Sequence, residues 1–188
     1  MMDHEQLMAL GKQMLKPKRY EHTLRVADES ARLAKLYGAD SQLAKTAGYL
    51  HDIAKNLTDE KLAAMLRDGG EAGYLGYSPY VWHAPAGALF SKEHCQVHNK
   101  DILDAIKYHC TGRAEMGLLE SIVFLADYIE PNRKQPGVEE IRKVAETSLE
   151  AAIAKTLANT VAYLKAKGEE LHPDTLKAYA HYHHFLET

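Results

Sequence analysis

Apolar residues recur every three or four positions along most of the chain, and this spacing constrains the fold more than any other feature of the sequence. Between residues 18 and 37, Leu24, Ala27 and Ala34 form one stripe, and Gly38 follows as a helix stop. The alternation of apolar and polar residues that is typical of strands does not extend over any useful length. The sequence therefore predicts an all-α helical bundle.

Helix caps and helix breakers divide this pattern into segments. Asp40 or Ser41 can begin one helix, and Asn99 can begin another. We predict helices over residues 3–15, 18–37, 40–55, 58–69, 84–96, 99–109, 118–129 and 138–167, with a last helix from Pro173. Residues 69–80 contain four glycines, a proline and three tyrosines, which predicts a mobile loop over a site. Because no linker interrupts the series, we expect a single domain over residues 1–188.

The composition argues against several classes of protein. A formal net charge of -3 over 188 residues favours neither DNA nor RNA nor a membrane surface as a partner. No apolar run is long enough to span a bilayer. Cys95 and Cys110 form no CxxC pair, which fits a reducing compartment, and we expect a cytoplasmic protein. The apolar helices suggest a homodimer.

The pair His51-Asp52 lies inside an alanine-rich, apolar stretch. An ionised aspartate near a buried helix face is costly unless a cation or several donors compensate it. Neutral imidazole and carboxylate are both good ligands for divalent metals, so the pair indicates a metal site. The alternative is a helix-end pair that is hydrogen-bonded to a neighbouring helix.

Other residues of the same chemical types stand where helices begin, end or face the core. Asp127 is the only acid in the apolar run 122–129, where a carboxylate needs a partner. Alternatively, Asp127 pairs with Arg25 or Arg133 without any metal. The three histidines of this set can also have structural roles, as a half-buried imidazole or at helix ends, and they are His22, His83 and His109.

Five blocks of sequence resemble a known family. The order of His22, His51-Asp52 and Asp127 is similar to that of the HD-domain metal-dependent phosphohydrolases, which are all-helical. Within that family the chain resembles the YqeK-type symmetrical bis(5'-nucleosyl)-tetraphosphatases. The blocks that carry this closer resemblance are residues 22–26, 51–55, 82–88, 109–113 and 125–133.

The resemblance implies hydrolysis of diadenosine tetraphosphate to two molecules of ADP. It implies a metal site made of His22, His51, Asp52 and Asp127, with Asp52 also orienting the attacking water. Two imidazoles and two carboxylates suit iron, with manganese or cobalt as alternatives, and the lack of a thiolate argues against a structural zinc site.

The same resemblance suggests which residues contact the substrate. His83 and His109 would hold phosphate oxygens and protonate the leaving group, or bind a second ion together with Asp52. Lys55, one helical turn from His51, would neutralise charge on the phosphates or, alternatively, be a solvated lysine at a helix end. The remaining contacts with substrate are assigned to His22, Asp52, Thr111, Gly112 and Arg133.

Two other functions remain open at this point. One is a nucleotidase or pyrophosphohydrolase that acts on a mononucleotide or an alarmone. The other is a nucleotide-binding sensor without turnover. Tyr74, Tyr77 and Tyr80 could stack on a purine or pack in the core.

Overall fold

The computed structural model describes residues 1–187, which form ten α-helices, three short 3₁₀ helices and no strand. This confirms the predicted all-α fold. The α-helices are α1 (His4–Met14), α2 (Pro17–Tyr37), α3 (Ser41–Leu50), α4 (Asp59–Asp68), α5 (His83–His94), α6 (Lys100–Lys107), α7 (Leu118–Ile129), α8 (Val138–Ala145), α9 (Leu149–Ala166) and α10 (Pro173–Tyr182). The 3₁₀ helices are Ala72–Gly76, Pro79–Val81 and His183–Glu187.

Helices α2, α3 and α7 position the four predicted metal ligands. Helix α2 packs along α3 and α7, and α7 also contacts α6 and α9. Gly48 of α3 lies against α2, where an added Cβ would lie 2.5 Å from the Cα atom of Ala27. A glycine at this position therefore lets the two backbones approach more closely than any side chain would allow.

Side-chain caps set many of the helix starts that the sequence predicts. Asp40 accepts hydrogen bonds from the backbone amides of Gln42 and Leu43, and Asn99 caps α6 in the same manner. Gly38 has a φ of 76°, the left-handed conformation with which glycine commonly ends a helix.

Two predicted helices differ from the observed ones by more than two residues. Helix α3 ends at Leu50 rather than at residue 55, so His51 and Asp52 lie on the turn that follows it. The Gly48 carbonyl accepts a hydrogen bond from His51 Nδ1 at 2.6 Å, and Lys55 N donates to Asp52 O at 2.8 Å in a tighter turn.

The second difference is the predicted helix over 138–167, which is two helices. Ser148 caps α9 by accepting a hydrogen bond from the amide of Ala151 at 3.1 Å, and three residues separate the end of α8 from the start of this new helix. The periodicity of apolar residues continues across this break and therefore concealed it.

Residues 69–80 were predicted to form a mobile loop, but two of the 3₁₀ helices take up much of this segment. Tyr74 is buried, and its carbonyl accepts a hydrogen bond from Trp82 Nε1 at 2.8 Å. Among residues 1–187, no helix is long and apolar enough to cross a membrane.

Candidate metal centre

The four predicted metal ligands come from three separate parts of the chain and meet at one point. His22 is on α2, Asp127 is on α7, and His51 and Asp52 follow α3. The centroids of the His22 and His51 imidazole rings lie 5.5 Å apart. The close contact of α2 with α3 at Gly48, one helical turn before His51, holds these rings together.

The carboxylate oxygens face the Nε2 atoms of both histidines. Asp127 Oδ1 lies 2.9 Å from His22 Nε2 and 3.6 Å from His51 Nε2. Asp52 Oδ2 lies 3.7 Å from His22 Nε2 and 3.3 Å from His51 Nε2. One ligand atom from each of His22, His51 and Asp127 can be chosen so that all lie within 4.8 Å of one another, as a shared ion requires.

The other oxygen of Asp52 faces a second pair of histidines. Asp52 Oδ1 lies 3.2 Å from His83 Nε2 and 3.2 Å from His109 Nε2. These two nitrogens also lie 3.2 Å from each other. His51, Asp52 and His109 form a second group whose ligand atoms lie within 4.8 Å of one another. Asp52 therefore stands between two pairs of imidazoles.

All four imidazoles have the same orientation, with Nδ1 turned away from the centre and Nε2 turned toward it. Each Nδ1 donates a hydrogen bond to an oxygen that can only accept, so the neutral ring carries its proton there and leaves the Nε2 lone pair free. The acceptors are Gly48 O for His51, Tyr80 O for His83, Ile106 O for His109 and Glu130 Oε2 for His22, at 2.6, 2.9, 2.8 and 2.9 Å.

His51 Nε2 is a buried polar atom without a hydrogen-bond partner among the described residues. The ring is fully buried and faces two carboxylates. An orphaned buried nitrogen is costly in a folded protein unless a ligand satisfies it. A divalent cation would satisfy this nitrogen and both carboxylates together, so the residues present fit a metal ion.

The electrostatics of the cluster also favour a cation. Burial opposes the charged forms, but the close contacts of Asp52 and Asp127 with the histidines hold the pKa of both carboxyls well below the usual range. Burial lowers the pKa of His51, yet the facing carboxylates more than offset this and raise it to about 10. Burial dominates at His83 and lowers its pKa.

Two charged residues behind these ligands were missed in the sequence. Arg19 Nη1 donates to Asp52 Oδ2 at 3.0 Å, and Arg19 lies one helical turn before His22 on α2. Glu130 is 1% exposed, and its Oε2 accepts from His22 Nδ1 and from Arg25 Nε, each at 2.9 Å. The spacing of Arg19 from His22 was the one available signal, since residues three apart share a helix face.

The residues predicted to contact the substrate differ in how far their side chains are already engaged in other contacts. Arg133 Nη2 donates to Asp127 Oδ1 at 3.1 Å, and 37% of the side chain is exposed. This is the pairing of Asp127 with Arg133 that the sequence left open. The Nζ atom of Lys55 lies 4.4 Å from the centroid of the Tyr80 ring, beside His83.

Thr111 and Gly112 are less available than the sequence suggested. The Thr111 hydroxyl is buried and donates to the Gly112 carbonyl at 2.8 Å, and the Gly112 amide donates to Tyr108 O at 2.8 Å. Neither the predicted hydroxyl nor the Gly112 amide is a free donor for phosphate. Burial raises the pKa of Cys110 to about 12, so this thiol stays protonated near neutral pH.

Comparisons with known proteins agree with this geometry. The HD domain family model matches residues 19–132. A symmetrical bis(5'-nucleosyl)-tetraphosphatase of Bacillus subtilis is 42% identical over 179 residues, which cover 95% of this chain and 96% of the relative. A protein of the same name from Halalkalibacterium halodurans has the same identity and coverage.

A solved structure from Clostridium acetobutylicum, described as a predicted HD superfamily hydrolase involved in NAD metabolism, has a similar fold. Its TM-score is 0.92 at 36% sequence identity, and the match covers 97% of each chain. The HD family match spans all six residues that surround the centre, namely His22, His51, Asp52, His83, His109 and Asp127.

Proposed function

The chain belongs to the HD domain family, and we propose that it is a symmetrical bis(5'-nucleosyl)-tetraphosphatase that hydrolyses diadenosine tetraphosphate to two molecules of ADP. It is a metal-dependent phosphohydrolase. The observation that supports this best is the set of imidazoles whose Nε2 atoms face two carboxylates around the unpartnered His51 Nε2.

The proposed metal ligands are His22, His51, Asp52 and Asp127. A divalent ion held by these residues would lower the pKa of a bound water and polarise a phosphoryl oxygen. We infer iron, with manganese or cobalt as alternatives, because imidazole and carboxylate ligands without a thiolate suit these ions. Asp52 has a second proposed role, which is to accept a hydrogen bond from the attacking water and so orient it.

His83 and His109 form the proposed acid and phosphate-binding pair. Both Nδ1 atoms donate to backbone carbonyls, so a hydrogen bond across the 3.2 Å between their Nε2 atoms requires one extra proton. Burial lowers the pKa of His83, and Asp52 Oδ1, 3.2 Å from both nitrogens, partly offsets this and so stabilises that proton. The pair can thus donate a proton to the leaving ADP. The alternative is that this pair and Asp52 hold a second ion.

Positive charge near the centre would bind the polyphosphate. Lys55 and Arg133 are the proposed phosphate contacts, because both are close to the ligands and neither is fully buried. The predicted contact of His22 with the substrate is not part of the proposal, because its Nδ1 donates to Glu130 and its Nε2 is a proposed metal ligand. Thr111 and Gly112 enter the proposal only as supports of the turn after His109, since their hydroxyl and amide are used internally.

The test is a product assay with the metal-loaded protein. Diadenosine tetraphosphate should give two ADP and neither AMP nor ATP, as separated by ion-exchange chromatography. Release of AMP with ATP would contradict symmetrical cleavage. Cleavage of a mononucleotide or an alarmone, with the tetraphosphate left intact, would support the nucleotidase alternative instead.

A variant at Asp52 separates an enzyme from a sensor. Asp52→Asn should reduce turnover by at least about a hundredfold while ADP still binds, because even losing a group behind a metal ligand costs up to that factor. Full turnover in this variant would refute the role given to Asp52. A cytoplasmic location, a homodimer, a single domain and the absence of nucleic-acid or membrane partners stay predictions from the sequence.

A further inference from the structure

A cavity of about 300 Å³ adjoins the metal centre. His83 belongs to both, because it lines the cavity and its Nε2 lies 3.2 Å from Asp52 Oδ1. Lys55 and Asp59 line the same cavity, whose lining is mostly polar, and Leu57, Leu62 and Pro79 contribute its smaller apolar part. The size falls at the lower end of the range for small-molecule sites.

Tyr80 lines this cavity and is unusually exposed for a large aromatic residue. It is 66% exposed, the highest value among the large apolar residues that the structure describes. Its backbone is nevertheless fixed, because it lies in the 3₁₀ helix Pro79–Val81 and its amide donates to Ser78 Oγ at 3.3 Å. The centroid of the Tyr80 ring lies 6.2 Å from that of the His83 ring. Lys55 Nζ lies 4.4 Å from the Tyr80 centroid. Lys55 therefore lies over one face of this exposed ring, and the opposite face is suited to stacking on a base.

The lining residues restrict the chemistry of the ligand. An anionic group is favoured near the ammonium group of Lys55, whereas the carboxylate of Asp59 disfavours one at its own part of the wall. The Tyr80 ring favours a flat aromatic group in the same cavity, with polar edges that match its mostly polar lining. A nucleoside carrying a phosphate chain has this distribution of charge.

We propose that this cavity binds the nucleoside of one half of the substrate, with Tyr80 stacking on its base and Lys55 contacting its phosphates. This inference rests on the proposed function, since it places one ADP unit beside the metal centre. Asp59 then faces the ribose or the base, where hydroxyl and amino groups can donate to it.

Tyr80→Ala in the metal-loaded protein tests the assignment. Removing a stacking partner is expected to weaken ADP binding about tenfold, measured by titration calorimetry, and to raise KM for diadenosine tetraphosphate by a similar factor. We expect kcat to change less than twofold. Tyr80→Phe should bind ADP as the unaltered protein does, because it keeps the ring.

The chain offers a matched control at Tyr163. This residue is 58% exposed and lies with its ring centroid 4.8 Å from Lys167 Nζ, but it is on α9 and does not line the cavity. Tyr163→Ala should leave ADP binding and KM unchanged. Inorganic pyrophosphate, which has no base, should bind equally to Tyr80→Ala and to the unaltered protein.

Equal ADP affinity in Tyr80→Ala and Tyr163→Ala would overturn the assignment, and so would an equal loss of ADP and pyrophosphate binding. These results differ from failure of the proposed function. If ADP binding depends on Tyr80 but the tetraphosphate is not cleaved, the cavity assignment stands and the proposed reaction is wrong. If the protein cleaves the tetraphosphate to two ADP and Tyr80→Ala leaves KM unchanged, the proposed reaction stands and the cavity assignment is wrong.

Discussion

Replacing Glu130 by glutamine tests how far the groups behind the metal ligands control metal binding. Glu130 is 1% exposed and accepts hydrogen bonds from His22 Nδ1 and Arg25 Nε, each at 2.9 Å. Among the four imidazoles of the centre, only that of His22 donates its Nδ1 proton to a carboxylate rather than to a backbone carbonyl. A carboxylate acceptor makes the opposite nitrogen a stronger metal ligand.

The size of the effect follows from what the substitution removes. Glutamine keeps the shape and one acceptor oxygen but loses the negative charge that opposes His22. Loss of such a partner typically costs 10- to 100-fold in metal affinity, or about 1.4 to 2.8 kcal/mol. We therefore expect Glu130→Gln to bind Mn²⁺ or Fe²⁺ 10- to 100-fold more weakly, measured on metal-free protein by competition with a chelating dye.

Glu29 provides the matched control for this substitution. It is 9% exposed on α2, and its carboxylate pairs with Arg32, with Oε1 2.7 Å from Nη2. Glu29→Gln makes the same chemical change at a buried carboxylate whose partner, Arg32, is 45% exposed and which makes no contact with the metal ligands. Unchanged metal affinity in Glu130→Gln, or an equal loss in Glu29→Gln, would refute the reasoning.

Two further predictions concern the packing and the charge of the centre. Gly48→Ala should lower the free energy of unfolding by about 1–3 kcal/mol, because its Cβ would lie 2.5 Å from the Ala27 backbone. Gly73→Ala is the control and should leave this free energy unchanged, because an added Cβ there has nothing within 4 Å. Chemical denaturation of both variants measures the difference. The metal-free protein should lose stability as the pH rises from about 6.5 to about 10, because the raised pKa of His51 means that the folded state holds this proton more tightly than the unfolded chain does. Thermal melts over that range check the sign, and an increase in stability would contradict the assigned charge state.

The sequence predicted the helices best where a cap or breaker coincided with a change in periodicity. Helix α7 has the predicted limits, Leu118–Ile129, because an apolar run lies between a glycine and a proline. The break at Ser148 was missed, since apolar spacing continues through it and its cap hydrogen bond is visible only in three dimensions. The family resemblance was confirmed by the comparisons.

The centre was predictable in its residue types but not in its arrangement. The resemblance indicated His22, His51, Asp52 and Asp127, but no spacing in the sequence shows that the two oxygens of Asp52 face different pairs of imidazoles. The pairing of Glu130 with His22 joins residues 108 positions apart and depends on how α2 packs against α7. Such contacts depend on tertiary packing, which local sequence patterns do not specify.

The location of the bound ion tests the central claim most directly. Crystals of the protein loaded with Mn²⁺ or Fe²⁺, measured at the absorption edge of the metal, should give an anomalous peak within about 2.0–2.3 Å of the Nε2 atoms of His22 and His51 and of carboxylate oxygens of Asp52 and Asp127. A fully loaded crystal whose metal peak lies away from these four residues would contradict the account.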